Sequence, residues 1–91
     1  MSKIILTAQV EDGRSWESAF RTHKDMFREA GLGTIHYTIE DSNLIVMSVD
    51  VESVDDYMDF MRSQDTQDAM KHDGVKRDTV KVHVLDRELT N

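Results

Sequence analysis

Residues 34–51 read TIHYTIEDSNLIVMSVDV and encode a β-hairpin. Apolar residues fall on alternate positions in both halves, the period at which side chains point to opposite faces of a sheet. Only the polar residues 41–43 separate the halves, so the two strands must pair antiparallel through a short turn. The same alternation occurs in residues 3–10 and 80–85, which predicts a sheet of four strands.

Two helical segments separate these strands. Across residues 16–30 apolar side chains recur three or four positions apart, and glycines then end the predicted helix. Ser53 is a suitable cap for the second helix, and a further helical turn is predicted over residues 66–72. Right-handed crossovers place both helices on one face of the sheet. We predict one domain, residues 1–91, of the α+β class: ferredoxin-like β-α-β-β-α-β, with an antiparallel sheet in the order 4-1-3-2.

The face of the sheet that the helices leave bare has a mixed character. It is too apolar for an ordinary solvated surface and too polar for a dry core. We call it the open face, and its residues are Ile5, Thr7, Gln9, His36, Thr38, Leu44, Val46, Ser48, Lys81, His83 and Leu85. Because exposed apolar patches of this kind mark interaction sites, we expect a second subunit or a ligand to cover it.

Charge and composition exclude several partners. The net charge of −7 comes largely from residues 50–73, so nucleic acid and anionic membranes would be repelled. The chain has no cysteine and no apolar run of about 20 residues, which excludes disulfides and a membrane-spanning helix. The opening MSKIILTAQVEDG lacks the apolar core of a signal peptide, which predicts a cytoplasmic location.

The order of elements, the length and the passage AMKHDGV (residues 69–75) resemble the dimeric α+β barrel superfamily. In that superfamily two ferredoxin-like subunits pack sheet to sheet, so the resemblance implies a homodimer with a cavity in or beside each subunit. Its members include cofactor-free monooxygenases of polyketide quinols, lactone isomerases and haem-degrading proteins. A shared fold does not choose among these activities.

Three histidines are the candidate catalytic residues. His36 and His83 share the open face but lie on opposite edge strands, roughly 14 Å apart, so one chain could not join them through a metal ion. Each could serve instead as a general base. His23 lies in the apolar stripe of the first helix and is either a hydrogen-bonded core residue or the centre of a second site. The predicted ligand-pocket residues are Thr7, Gln9, Trp16, Tyr37, Thr38 and Ser48.

These features favour a protein that binds a small, mostly apolar molecule, as a cofactor-free monooxygenase or an isomerase. One alternative is a non-catalytic ligand-binding or structural homodimer. Another is a haem-binding or haem-degrading protein, because His72 loosely matches the position of the axial histidine in haem-degrading relatives. Against it, Met61 stands where those relatives have a helical tryptophan, and only Gln9 could replace their first-strand asparagine. We expect no cofactor and no metal.

Overall fold

The computed structural model describes residues 1–91 and contains one four-stranded antiparallel sheet. The strands adjoin in the order β2-β3-β1-β4, which confirms the predicted order read from the other edge. The elements are β1 (Ser2–Gln9), α1 (Gly13–Arg21), α2 (Lys24–Glu29), β2 (Leu32–Ile39), β3 (Leu44–Val51), α3 (Val54–Arg62), α4 (Gln64–His72), a 3₁₀ turn (Arg77–Thr79) and β4 (Lys81–Leu85).

The turn of the β2–β3 hairpin also fixes the start of α1. Asn43 has a positive φ of 61°, a conformation that asparagine adopts more readily than most residues. Its backbone carbonyl accepts the Val10 N–H at 3.0 Å, and its side-chain oxygen accepts the Gly13 N–H at 3.0 Å. One residue therefore joins the hairpin turn, the end of β1 and the first turn of α1.

The prediction of one continuous helix over residues 16–30 was wrong at its middle. The Thr22 hydroxyl donates to the Ala19 carbonyl at 2.6 Å, and the His23 N–H donates to the Phe20 carbonyl at 3.1 Å. These three-residue bonds tighten the end of α1 and interrupt the regular four-residue ladder. His23 consequently precedes α2 as its N-terminal cap residue, without capping through its side chain.

The core lies between the helices and the face of the sheet that was predicted to be apolar. Ile4, Ile45 and Val49 from the strands are at most 1% exposed, and Trp16 and Tyr57 from the helices are each 3% exposed. The alternation of the strands therefore correctly separates the covered face from the open face. No helix is both long and apolar enough to cross a membrane.

Replacing Gly13 by alanine should destabilise the fold. A Cβ atom at this position would lie 2.5 Å from Cγ2 of Ile39 and 3.3 Å from Oδ1 of Asn43, so one of these groups or the start of α1 would have to shift. We expect Gly13→Ala to lower the free energy of unfolding by about 1–3 kcal/mol, measured by urea denaturation. Ser18→Ala, on the exposed side of α1, is the matched control and should change it by less than about 0.5 kcal/mol. Equal stability of the two variants would contradict this account of the contact.

Candidate functional site

A largely apolar cavity of about 80 Å³ lies between the covered face of the sheet and the helices. Nineteen of the 22 residues that line it are hydrophobic. The remaining three are His23, Thr66 and Asp73, and all three come from helix ends rather than from strands. Any polar chemistry in the cavity therefore depends on these few side chains and on Tyr57, which also lines the cavity.

His23 and Asp73 form a side-chain pair in the cavity wall. Nε2 of His23 lies 3.1 Å and 3.0 Å from the two carboxylate oxygens of Asp73. The Asp73 side chain is only 5% exposed, whereas that of His23 is 22% exposed. A buried carboxylate is stable only when hydrogen-bonded, so this pairing is a condition for placing Asp73 in the core.

The pairing also assigns the protons of the imidazole. An ionised carboxylate only accepts hydrogen bonds, so the Nε2 that faces Asp73 must carry a proton. In neutral His23 the other nitrogen, Nδ1, then has a free lone pair, and no protein group donates to it. A histidine held by a carboxylate in one tautomer, with its second nitrogen free, is the arrangement of a general base.

Asp73 occupies an electrostatically unfavourable position in its own helix. It is the C-cap of α4, where the helix dipole disfavours negative charge, and Gly74 follows it with a φ of +79°. His72 supplies a second hydrogen bond, from Nδ1 to the Asp73 carboxylate at 3.1 Å. Two imidazoles thus compensate one buried acid. His72 itself is 77% exposed, so only His23 extends this network into the cavity.

The hydroxyl of Tyr57 is a further polar group among the residues that line the cavity. The residue is 3% exposed, and desolvation alone, with no hydrogen-bond partner, accounts for the shift in its pKa. Removal from water raises the pKa of Tyr57 to about 12. The hydroxyl therefore stays protonated at neutral pH and can donate a hydrogen bond.

Thr66 has a structural task at the junction of α3 and α4. Its hydroxyl accepts from the Ser63 hydroxyl at 2.9 Å, and its N–H donates to the same Ser63 oxygen at 3.2 Å. Ser63 is both the last cap of α3 and the first cap of α4. Thr66 is therefore satisfied by the chain itself and is not needed to explain binding.

A second hollow, the outer groove, lies on the other side of the cavity wall. It has a volume of about 360 Å³. It is lined by Phe20, Arg21, Lys24, Phe27, Arg28, Leu32, Gly33, Ile35 and Tyr37. Phe20, Phe27, Leu32 and Ile35 line the cavity as well, so these four side chains form a shared wall between the two spaces.

Tyr37 lines the outer groove and also contacts a cluster of aromatic side chains. Its ring meets Trp16 and Phe20 edge to face, each at 5.6 Å between centroids. Its hydroxyl donates to the Glu17 carboxylate at 2.5 Å. Desolvation first, then the hydrogen bond to Glu17, and then the charge of Glu17 raise the pKa of the Tyr37 hydroxyl. Trp16 is buried and lines the cavity together with His23, and its contact with Tyr37 places both predicted pocket residues on the covered side of the sheet.

The other predicted site residues lie on the open face, away from the cavity. His36, Ser48, Ile5 and His83 form one row across the sheet, with the two histidines at its ends and both exposed. Neither histidine lines the cavity or the outer groove. The next row holds Thr38, Val46, Thr7 and Lys81, and Gln9 faces Leu44 beyond it. The structure thus divides the predicted residues between two surfaces on opposite sides of the sheet.

Sequence reasoning missed Asp73, which is the residue that gives His23 its orientation. Asp73 lies 50 positions from His23, and no local pattern connects them. The sequence contained one signal for Asp73. It is an acid directly before the glycine that ends a helix, and the helix dipole disfavours a negative charge at that end. No group of three or more histidine, aspartate or glutamate side chains is arranged to hold a metal ion.

Solved structures with the same architecture are known from several bacteria. A provisionally named antibiotic biosynthesis monooxygenase from Bordetella bronchiseptica is 27% identical, with a TM-score of 0.72 over 97% of each chain. SnoaB, a cofactor-independent oxygenase from Streptomyces nogalater, is 14% identical, with a TM-score of 0.73 over 98% of this chain and 94% of SnoaB. No family model and no curated protein sequence matches the chain.

A third similar structure contains a bound molecule. It is a monooxygenase from the ActVA-Orf6 gene of Streptomyces coelicolor in complex with nanaomycin D, 14% identical, with a TM-score of 0.68 over 99% of this chain and 89% of that one. The strand order and these likenesses make the chain a member of the ferredoxin-like α+β barrel superfamily. Within that superfamily, its structural neighbours include the antibiotic biosynthesis monooxygenases.

Burial of Tyr57 should be visible in the alkaline unfolding of the protein. A group whose pKa is raised to about 12 on folding stabilises the fold fully below its unfolded pKa of 10.0 and loses that contribution as the pH rises towards 12. We expect the free energy of unfolding to fall less steeply between pH 10 and 12 in Tyr57→Phe than in the unmodified chain. Urea unfolding at several pH values measures the difference. Parallel pH profiles for the two proteins would show that Tyr57 is not desolvated.

Proposed function

We propose that the cavity binds a small, mostly apolar ring compound and that the protein oxidises this compound with molecular oxygen, without a resident cofactor. The observation that carries the proposal is the His23–Asp73 pair in the wall of an otherwise apolar cavity. The cofactor-independent oxygenase SnoaB, which has the same fold, supports this reaction class.

The geometry suits proton removal from an acidic carbon or hydroxyl of the ligand. Nδ1 of His23 would accept the proton, and the Asp73 carboxylate, 3.0 Å from Nε2, would stabilise the imidazolium that forms. The apolar surroundings strengthen both electrostatic effects. The Tyr57 hydroxyl, which has no side-chain partner, would donate to the oxygen of the resulting anion.

The overall reaction needs no external reductant. A ring methylene supplies four electrons to dioxygen: one oxygen atom becomes a carbonyl on that carbon, and the other leaves as water with the two hydrogens of the methylene. Loss of the first proton to His23 creates an electron-rich carbanion that dioxygen can oxidise. The base therefore governs the step that makes the substrate reactive.

Ligand binding requires the cavity to enlarge. Its 80 Å³ is smaller than the roughly 150 Å³ cavity that accepts benzene in an engineered protein. Met26, Met61 and Met70 line the cavity, and methionine side chains adapt their shape at low cost. The cavity would enlarge by movement of these methionine side chains and of the shared wall.

The predicted homodimer and the open-face histidines remain part of the proposal. Ile5, Leu44 and Val46 are half-buried and Leu85 is 48% exposed on the open face, so packing against a second sheet would remove apolar surface from water. The protein would act as a cytoplasmic homodimer. His36 and His83 would lie at that seam, where either could serve as an alternative base.

Substitutions at His23 test the oxygenase. Anthrone, which has an acidic ring methylene, is a suitable probe, and its oxidation is followed by oxygen uptake above the spontaneous rate. We expect His23→Gln to lower kcat about 10²–10⁴-fold, because glutamine can donate to Asp73 but cannot take a proton. Asp73→Asn should also lower kcat, with a smaller loss. Circular dichroism checks that both variants are folded.

The same assay distinguishes the open-face alternative. If His36→Ala or His83→Ala abolishes anthrone oxidation while His23→Gln retains it, the base lies on the open face and the cavity assignment is wrong. If no variant differs from the parent, the histidines are not bases. Binding of anthrone without oxidation would support the non-catalytic ligand-binding protein.

Val46→Asp tests the dimer. Val46 lies in the centre of the open face, between Thr7 and Thr38, and a carboxylate there would be buried unpaired at a sheet-to-sheet interface. We expect this variant to be monomeric by sedimentation equilibrium at concentrations where the parent is dimeric. Ser18→Asp, which adds the same charge on the exposed side of α1, should remain dimeric. A dimer that persists in Val46→Asp would exclude sheet-to-sheet packing.

A further inference from the structure

The outer groove is positively charged on a protein that is otherwise acidic. Its lining includes three cations, Arg21, Lys24 and Arg28, and no acid, whereas the whole chain has a net charge of −7. The three side chains come from the end of α1 and from α2, the two short helices that flank the groove. A cluster of positive charge on an acidic protein suggests that the groove binds an anion.

The surrounding acids neutralise these cations only in part. Arg21 lies 3.6 Å from Glu17, which also accepts the Tyr37 hydroxyl, and Arg28 lies 3.3 Å from an 87% exposed Asp25. Such exposed pairs are weak. Lys24 makes no ion pair, and it lies four positions before Arg28 on the same helix face, where like charges repel each other. An anion bound between Lys24 and Arg28 would relieve that repulsion.

The rest of the groove is apolar and adjoins the cavity. Phe20 and Phe27, whose ring centroids are 5.0 Å apart, separate the two spaces together with Leu32 and Ile35. Movement of these side chains would join the groove of about 360 Å³ to the cavity of about 80 Å³. The combined space would be apolar at the His23 end and cationic at the Lys24 end.

We propose that the ligand of this protein is an aromatic carboxylate: its ring enters the cavity past Phe20 and Phe27, and its carboxylate lies in the outer groove between Lys24 and Arg28. The inference rests on the proposed function for the position of the ring and adds the charge of the ligand. The basic groove selects the carboxylate, whereas the cavity would accept neutral rings of similar size. Lys24 and Arg28 are therefore specificity residues, remote from the His23 base.

A matched pair of ligands tests the proposal. The probes are 2-naphthoate and its neutral analogue 2-naphthamide, titrated calorimetrically into the full chain. We expect 2-naphthoate to bind about 3–10-fold more tightly at low ionic strength, and this preference to shrink in about 1 M NaCl, because exposed charges are screened. The affinity for 2-naphthamide should change little with salt.

Two double variants test whether the preference for 2-naphthoate depends on the cations of the outer groove. Lys24→Gln/Arg28→Gln should remove the preference for 2-naphthoate and retain the affinity for 2-naphthamide. Lys71→Gln/Lys76→Gln removes the same charge from exposed positions outside the groove and should keep the preference. If both double variants lose it equally, the preference comes from the overall charge and the proposal is wrong.

The remaining outcomes are also decisive. Equal binding of the two probes by the parent chain overturns the proposal while leaving the ring site intact. Absence of binding by both probes overturns it as well, and anthrone oxidation by the same preparation then decides the oxygenase separately. A clear preference for 2-naphthoate with no anthrone oxidation supports the ligand charge and counts against the oxygenase alone.

Discussion

Burial of a single face of the sheet is the constraint on which the rest of this structure depends. Alternate residues of β1 and β3, such as Ile4, Ile45 and Val49, fill the space beneath the helices with branched aliphatic side chains. Because the strands supply only apolar groups there, the polar groups of the cavity have to come from the helices. The opposite face of every strand is thereby left for a different purpose, which we propose is contact between subunits.

The polar groups enter the core where helices are interrupted. His23 stands at the break between α1 and α2, and Asp73 stands at the end of α4. Placing a carboxylate in the core at the negative end of a helix is unfavourable, and the hydrogen bonds from His23 and His72 offset that cost. The pair leaves Nδ1 of His23 without a partner in a residue that lines the apolar cavity, and this is why we propose His23 as the base.

The sheet and its order could be predicted from the sequence because they depend on local, repeated signals. The alternation of apolar and polar residues predicted the strands, and the short polar segment 41–43 predicted the hairpin. The right-handedness of crossover connections predicted that both helices lie on one face of the sheet. The pairing of His23 with Asp73 could not be predicted in this way. It depends on the helix break at Thr22, which one hydroxyl-to-carbonyl bond reinforces, and on how α4 packs 50 positions later. The helical spacing of apolar residues continues across the break between α1 and α2, so the pattern does not reveal it.

The length of α2 has a consequence for any molecule that enters the cavity. A helix of six residues has almost no stability in isolation, so α2 persists because Phe27 packs against Phe20 and Phe60. Two of these aromatic residues, Phe20 and Phe27, belong to the wall that the proposed ligand would displace. If a ligand enters as we propose, the order of α2 and the occupancy of the cavity would be thermodynamically linked. Part of the intrinsic affinity for a ligand would then be lost to, or gained from, the ordering of this six-residue helix.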